Sequence, residues 1–343
     1  MEYVVCCCAK NEEAYLDEWI RHYLQLGFDH IIIADNNENV QQLPAFLSNK
    51  PYAKNVVIVK KNGESNFQCP FYAEVYRTYR FKWCAFFDCD EFLVLPQHKT
   101  IQEYLSTFPD SCYSVSINWL CYGTNGHKRY ENRPVRERFL YPRIPVDNAD
   151  DINGHVKTIV RKVALDSVKF PTPHYMKVPR KNAYRSDGTV INIRNASNPS
   201  FSKPIQYDYA YIQHFNIKSE EEFKNRSKNP RQNSSNPKKT AQTRLAMLNN
   251  MGDSLTKDLS RDLHRYPPLD HARGKTIMIR STNMEVILRH LAKDSTVVLV
   301  GSDKSGDRLN RILNVAVHNR VKSIEWRFNT KDIPRLHYDI IAN

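Results

Sequence analysis

The chain is short of several things that would have assigned it early. Among its 343 residues no apolar stretch approaches the length of a membrane span, which excludes a spanning helix from the reading. Its eight cysteines include no Cys-x-x-Cys pair, which argues against a zinc ribbon. Three of them are consecutive in the strand-like opening Met1–Cys8. There Cys6 and Cys8 share one face and Cys7 takes the other, as small apolar residues rather than a disulfide framework. A reducing, cytoplasmic compartment is the expectation. The opening lacks a basic leader and does not read as a signal peptide. Acidic residues are outnumbered, 37 against 50 Lys and Arg, for a formal net charge of +13. That balance suits nucleic acid, an anionic membrane surface or a phosphorylated substrate, and does not choose among them. No internal repeat and no known nucleic-acid module is visible.

What is present is an alternation of apolar strands and amphipathic helices. Tyr3 to Ala9 reads as a strand, followed by the turn Lys10-Asn11-Glu12-Glu13. Tyr15, Leu16, Trp19, Ile20, Tyr23, Leu24 and Leu26 recur at helical spacing, and Gly27 fits a helix stop. His30 to Ala34 is a second buried strand ending at Asp35-Asn36-Asn37, and Val56 to Val59 a third. A helix over Phe71 to Lys82 leads into a fourth strand, Trp83 to Phe87. This order predicts an α/β fold with a mainly parallel sheet. Later elements are a helix over Thr100 to Phe108 with a Thr100/Glu103 capping box, and strands at Cys112–Leu120, Lys157–Arg161 and Tyr209–His214. A helix then opens at Ser219 with Ser-x-x-Glu to Glu222. The polar, basic segment Asn225–Lys239 reads as a mobile loop.

The expected organisation is a main domain over 1–265, a linker or helical connection over 266–294, and a small Rossmann-like α/β unit over 295–343. That last unit is short for a domain and is read as truncated. Its loop Gly301–Gly306 lacks a full dinucleotide fingerprint.

The chemistry-bearing signal is Asp88-Cys89-Asp90 at the end of the fourth strand. Strand side chains alternate, so Asp88 and Asp90 are expected on one side and Cys89 and Glu91 on the other. Two adjacent carboxylates repel and lose hydration, and a hard divalent cation relieves both costs. In open α/β sheets, ligands gather outside the carboxyl ends of the strands. The plain alternative is an acidic turn closing a strand.

Four features line up along the chain: Lys10-Asn11-Glu12-Glu13, Asp35-Asn36-Asn37, Phe87-Asp88-Cys89-Asp90-Glu91-Phe92, and His214-Phe215-Asn216-Ile217-Lys218-Ser219-Glu220-Glu221-Glu222-Phe223. Together they resemble the GT-A glycosyltransferases, and most closely glycosyltransferase family 92, over roughly Tyr3 to Arg226. The departures are a Cys at the middle of the Asp-x-Asp motif and the extra C-terminal unit. The resemblance implies a GT-A nucleotide-diphospho-sugar transferase fold and a metal-dependent, inverting hexosyl transfer from a UDP-sugar. It assigns Asp88, Asp90 and His214 to Mn²⁺ (or Mg²⁺), and Lys10, Asn11, Glu12, Asp35, Asp88 and Lys218 to the nucleotide-sugar. Imidazole in the donor set tilts the choice of metal to Mn²⁺. Arg226 is a further candidate for the diphosphate.

Inversion needs a base for the acceptor hydroxyl, and Glu137 and Asp151 are the candidates. Trp119, Tyr122, Lys157 and His174 are read as lining the acceptor side. Galactose is the expected sugar. The expected acceptor is a glycan or lipid-linked saccharide, in bacterial surface-polysaccharide synthesis, with peripheral membrane contact through the basic segment and no nucleic-acid partner. Each residue also has a structural reading. Asp35 suits an Asx turn, His214 a hydrogen-bonded strand end, Glu12 and Glu13 a helix N-terminus, and Lys218 and Arg226 a solvated helix. Two other functions compete. A metal-dependent nucleotidyltransferase would need a Gly-rich phosphate loop near the first strand, which is missing. A polyanion or nucleic-acid binder would show steeply salt-dependent, metal-independent affinity.

Overall fold

A computed structural model describes residues 1–139, 142, 152–191 and 200–228, together with the backbone of four later strands. The chain divides into two compact units, Met1–Leu255 and Thr256–Asn343.

In the first unit the strands β1 (Tyr3–Ala9), β2 (His30–Asp35), β3 (Val56–Lys60) and β4 (Trp83–Phe86) lie parallel in the order β3-β2-β1-β4. The helices α1 (Glu13–Gln25), α2 (Gln42–Leu47) and α3 (Gln68–Thr78) separate them in sequence. The expected α/β class with a mainly parallel sheet is borne out. The long apolar runs make the sheet two-sided. Ile31, Ile32 and Ile33 are all fully buried, each contributing about 1.5–3 kcal/mol of apolar burial. One face packs Val4, Cys6, Ile32, Ala34, Cys84 and Phe86 against Phe71, Tyr72, Val75 and Tyr76 of α3. The stripe of α1 buries Leu16, Trp19, Ile20 and Tyr23. The helix ends before Gly27, whose φ of +97° is a left-handed conformation that favours glycine. All eight cysteines are free.

Beyond β4 the sheet changes sense. The strands β5 (Glu91–Val94), β6 (Ser114–Cys121), β7 (Val156–Arg161), β8 (Ala183–Arg185) and β9 (Tyr211–His214) complete it, with β7 antiparallel to both β4 and β6. The eight-residue β6 serves two ladders. Its first half pairs with β7 and β8, and its second half, Trp119–Cys121, pairs with Ile212–His214 of β9. In turn β9 runs antiparallel to β5 with Glu91 opposite His214. Two helices carry the capping boxes expected of them. In α4 (Ile101–Ser106) Thr100 and Glu103 cap reciprocally. At α6 (Glu220–Lys228) the Glu222 amide donates to Ser219 Oγ, and the Ser219 amide donates to Glu222 Oε2.

The second unit carries β10 (Thr276–Arg280), β11 (Thr296–Gly301), β12 (Ser323–Phe328) and β13 (Leu336–Asp339), paired in that order. The first three are parallel and β13 is antiparallel to β12. The strand β10 falls in the 266–294 stretch read from sequence as a linker or helical connection. The remainder of the loop Gly301–Gly306, the helical stripe Leu309–Val317 and most of the basic segment up to Lys239 lie outside the described residues. Among the described residues no helix is long and apolar enough to cross a membrane.

Candidate functional site

The sequence-based picture of Asp88 and Asp90 on one face of a strand is corrected by the structure. The strand β4 stops at Phe86, and the Glu91 amide donates to the Asp88 carbonyl at 3.0 Å, closing a turn before β5. Alternation therefore ceases to apply, and the two aspartates take different partners. Asp88 Oδ2 takes the Lys157 ammonium at 2.8 Å, and its Oδ1 accepts from the Gln68 amide at 3.0 Å. Asp90 Oδ2 takes Arg226 Nη1 at 2.7 Å, with Lys218 Nζ at 3.9 Å. Asp90 Oδ1 faces His214 Nε2 at 3.6 Å. Cys89 points away from both, its thiol donating to the Cys8 carbonyl at 3.5 Å.

Helix α1 fastens this turn. The Trp19 indole N–H bridges the carbonyls of Asp88 (3.0 Å) and Glu91 (2.9 Å). The Tyr23 hydroxyl donates to the Glu91 carbonyl at 2.9 Å and accepts from the Leu93 amide at 3.1 Å. His214 reaches the turn because β9 pairs with β5 in the register that sets it opposite Glu91. Phe215 extends the tie by donating its amide to the Asp90 carbonyl at 2.9 Å.

Glu91 joins the site although alternation placed it on the far side. Its side chain is fully buried, with Oε2 accepting from the Asp88 amide at 2.8 Å and lying 3.4 Å from Lys157 Nζ. Its Oε1 makes no hydrogen bond and is 4.0 Å from His214 Nε2. Lys157 was expected at the acceptor side. It is fully buried instead and is the internal cation of Asp88 and Glu91.

The charges sort accordingly. Burial opposes ionisation of Asp90, but Arg226, Lys218 and His214 outweigh it and hold the carboxyl well below the usual range. Asp88 is also lowered, with the Lys157 charge prevailing over burial. For Glu91 burial wins over Lys157 and pushes the carboxyl well up. Burial lowers His214, against the contacts with Asp90 and Asp88 that raise it, which favours the neutral imidazole.

A neutral imidazole nitrogen and a carboxylate oxygen facing each other at 3.6 Å is a donor set that suits a divalent cation. The fit is confined to Asp90 Oδ1 and His214 Nε2, since Asp88 is engaged by Lys157 and Gln68 and the other Asp90 oxygen by Arg226. Among the described residues no group of three or more His, Cys, Asp or Glu side chains is arranged to hold a metal.

The other candidates are placed as follows. Glu12 is the residue before the first turn of α1, where burial pushes its carboxyl up and the charges of Lys218 and Arg226 draw it back. Lys218, with φ +61° and a buried side chain, stacks its ammonium 4.4 Å from the Tyr15 ring centroid. Lys10 pairs with Glu38 at 3.4 Å. Asn11 has φ +56° and donates its amide to Asn37 Oδ1 at 2.6 Å. Asp35 closes β2 as an Asx turn, Oδ1 accepting from the Asn37 amide at 3.0 Å, while its buried Oδ2 has no hydrogen-bond partner. Glu137 sits on the short helix α5 (Val135–Arg138) with an exposed side chain 3.8 Å from Arg133 Nη2. No hydrogen bond or ion pair among the described residues joins it to Asp88 or Asp90. Asp151 lies outside the described residues.

Of the acceptor-side candidates, Tyr122 is a core residue stacked on Phe215. Trp119 is buried under three imidazoles: His155 at 4.8 Å, His174 at 5.2 Å and His214 at 4.1 Å between centroids. His155 and His174 each donate Nδ1–H to a backbone carbonyl, of Ile152 and Val156, at 3.0 Å. Of these three rings, His155 was not singled out from the sequence.

Comparison with known proteins gives three findings. Residues 75–243 match the model of glycosyltransferase family 92, a range that contains Asp88, Asp90, Lys157, His214, Lys218 and Arg226. A glycosyltransferase family 92 protein of Ricinus communis is 27% identical over 203 residues, covering 54% of this chain and 32% of that protein. One of Arabidopsis thaliana is 31% identical over 103 residues, covering 29% of this chain and 17% of that protein. The chain thus spans a third or less of the length of these curated relatives. Among solved structures, S. aureus TarS 1-349 is 16% identical at TM-score 0.31, covering 47% of each chain. The longer S. aureus TarS is 14% identical at TM-score 0.35, covering 79% of this chain and 47% of that one. The resemblance of this chain to glycosyltransferase family 92, carried by its motifs, is shown over residues 75–243.

Proposed function

We propose that this chain is a metal-dependent glycosyltransferase that moves a sugar from a UDP-sugar to a hydroxyl of a glycan or lipid-linked acceptor, with inversion. The observation that carries the reading is the convergence, at the carboxyl end of β4, of Asp90, His214, Lys218 and Arg226 from elements far apart in the chain. Such a cluster suits a diphosphate leaving group. Asp90 and His214 would hold the cation, Mn²⁺ by the preference of imidazole, and Lys218 and Arg226 are the side chains within reach of phosphate oxygens. When bound, the metal neutralises charge building on the departing diphosphate. Lys157 orients Asp88 for a polar group of the donor, and the unpartnered Oδ2 of Asp35 is free to accept from the nucleoside. Galactose is the first sugar to test by family analogy, and Glu137 and Asp151 are the first bases to test.

The test is thermal stabilisation by UDP and a panel of UDP-sugars, with and without Mn²⁺. Stabilisation by nucleotide only with metal, lost in Asp90→Ala, is expected. Salt-sensitive binding of nucleic acid with no response to any nucleotide would overturn the reading in favour of a polyanion binder.

A further inference from the structure

Trp119 is 7% exposed, and its indole N–H makes no hydrogen bond among the described residues. Trp19, also buried, gives its N–H to two carbonyls. A buried donor left unmade costs stability, so an indole that only filled the core would be a poor choice at position 119. The rings around it are polar as well. His155 stacks on Trp119 at an interplanar angle of 18°, and His174 lies 5.2 Å from it between centroids. His155 and His174 are half-buried, and their centroids are 5.4 Å apart. Each gives its Nδ1–H to a backbone carbonyl, which fixes the tautomer and leaves a lone pair on Nε2. No hydrogen bond occupies either Nε2 among the described residues. Burial lowers His155 to about 4 and His174 to about 3, so both rings are neutral at neutral pH. One donor and two acceptors thus gather on three aromatic rings.

The chemistry of the group selects its ligand. A carboxylate or phosphate would meet two lone pairs, and the nearby ammonium of Lys157 is already held by Asp88 at 2.8 Å. A metal ion is not served, since no three His, Cys, Asp or Glu among the described residues are arranged to hold one. An uncharged polyol fits. Its hydroxyls donate to imidazole nitrogen, its oxygens accept from the indole N–H, and aromatic rings suit the C–H face of a sugar. The place fits too: the Trp119 and His214 centroids are 4.1 Å apart, and His214 Nε2 is 3.6 Å from Asp90 Oδ1. We propose that Trp119, His155 and His174 form the sugar subsite of this chain, holding an uncharged pyranose by its hydroxyls beside the acidic turn. The inference rests on the glycosyltransferase reading above and deepens it, giving the sugar side chains of its own, apart from those of the diphosphate. The pyranose of the donor and that of the acceptor share this chemistry, and the experiment tells them apart.

The experiment is calorimetry on the full chain with Mn²⁺, titrating UDP, a panel of UDP-hexoses, and the methyl glycosides of the same hexoses with UDP present. Trp119→Phe removes the N–H and nearly keeps the ring, His155→Phe and His174→Phe each remove a lone pair, and His174→Gln restores an acceptor. Each of the three phenylalanine variants is expected to weaken sugar binding about fivefold, the scale of one hydrogen bond, with UDP itself unchanged. His174→Gln is expected to recover part of that loss. A loss on the UDP-hexose assigns the subsite to the donor sugar, and a loss on the glycoside alone assigns it to the acceptor. In the wild type the indole N–H resonance of Trp119 is expected to shift when the sugar binds, a readout that needs no variant to fold. Sugar affinities unchanged in the variants, UDP and sugar weakened by one common factor, or an indole resonance indifferent to sugar would each overturn the subsite and leave the glycosyltransferase reading standing. So would a wild type that binds UDP but gains nothing from any sugar. A wild type that binds neither UDP nor any UDP-hexose would overturn the glycosyltransferase reading itself, and the subsite with it.

Discussion

Replacing Lys157 by Met removes a charge while nearly preserving shape, so the loss is electrostatic rather than a cavity. The ammonium is fully buried, 2.8 Å from Asp88 Oδ2 and 3.4 Å from Glu91 Oε2, and Glu91 is itself fully buried with one oxygen unpartnered. Deleting one partner of a buried ion pair costs about 3–5 kcal/mol. At about 2–4 °C per kcal/mol for a unit of this size, Tm should fall by about 6–20 °C. The pH dependence follows from Glu91. Burial already holds its carboxyl above the ordinary value while Lys157 pulls it down, so without Lys157 it rises further. A group whose folded pKa is raised binds its proton more readily folded than unfolded, so its contribution weakens as pH rises. The unfolded carboxyl is common to both proteins, so the deficit of Lys157→Met should grow as pH climbs through the raised folded pKa of Glu91 in the wild type and be smallest below it. Differential scanning calorimetry at several pH values reads this directly. Adding Glu91→Leu should recover part of the loss, since apolar replacement of a whole buried pair is far milder than breaking it. A shift under about 2 °C, or one flat with pH, would refute the assignment of Lys157 as the internal cation of the site.

Glu222 gives a second pH signature. Burial opposes its ionisation, but Arg138 (2.9 and 3.1 Å), Ser219 and Tyr15 outweigh that and lower it to about 2. A lowered folded pKa stabilises above the unfolded value and is lost as pH falls through the folded one. Glu222→Gln should thus cost about 3–5 kcal/mol at pH 7 in urea melts, and the difference should shrink between pH 4 and about 2. An unchanging difference across that range would sink the claim. Tyr23→Phe removes the acceptor of the Leu93 amide and one donor to the Glu91 carbonyl. A loss of about 1–3 kcal/mol is expected by chemical denaturation, and no measurable loss would show that the clamp on the turn is dispensable.

The parallel half of the fold was legible because its strands are unbroken apolar runs and α1 has a clean stripe. The bounds of β1 and the capping boxes at Thr100 and Ser219 fell where the residue types put them. The three-residue β8 and the strand β10 carry too little local pattern to stand out. In the site, His214, Lys218 and Arg226 were gathered with Asp90 by motif, but their partners were not readable. One residue of overextension in β4 misassigned the direction of Glu91, because the hydrogen bond that ends the strand is invisible in composition. Lys157 did leave a trace. In Val156–Arg161 it shares a strand face with Ile159, and a lysine on a buried face demands a buried anion. Trp19 and Tyr23 looked like ordinary core residues, since what distinguishes them is the backbone carbonyls their polar tips happen to meet.

The ladder that sets His214 opposite Glu91 fixes when the protein becomes competent as well as where. Its imidazole arrives on β9, the last strand of the main sheet among the described residues, and the guanidinium of Arg226 comes later still. During synthesis Lys157 can reach Asp88 and Glu91 first, while the Asp90 carboxylate must wait for more than a hundred further residues to bring Lys218 and Arg226, and closing so long a loop is slow. Nascent or proteolysed fragments ending before β9 are thus expected to fold their parallel strands without completing the site.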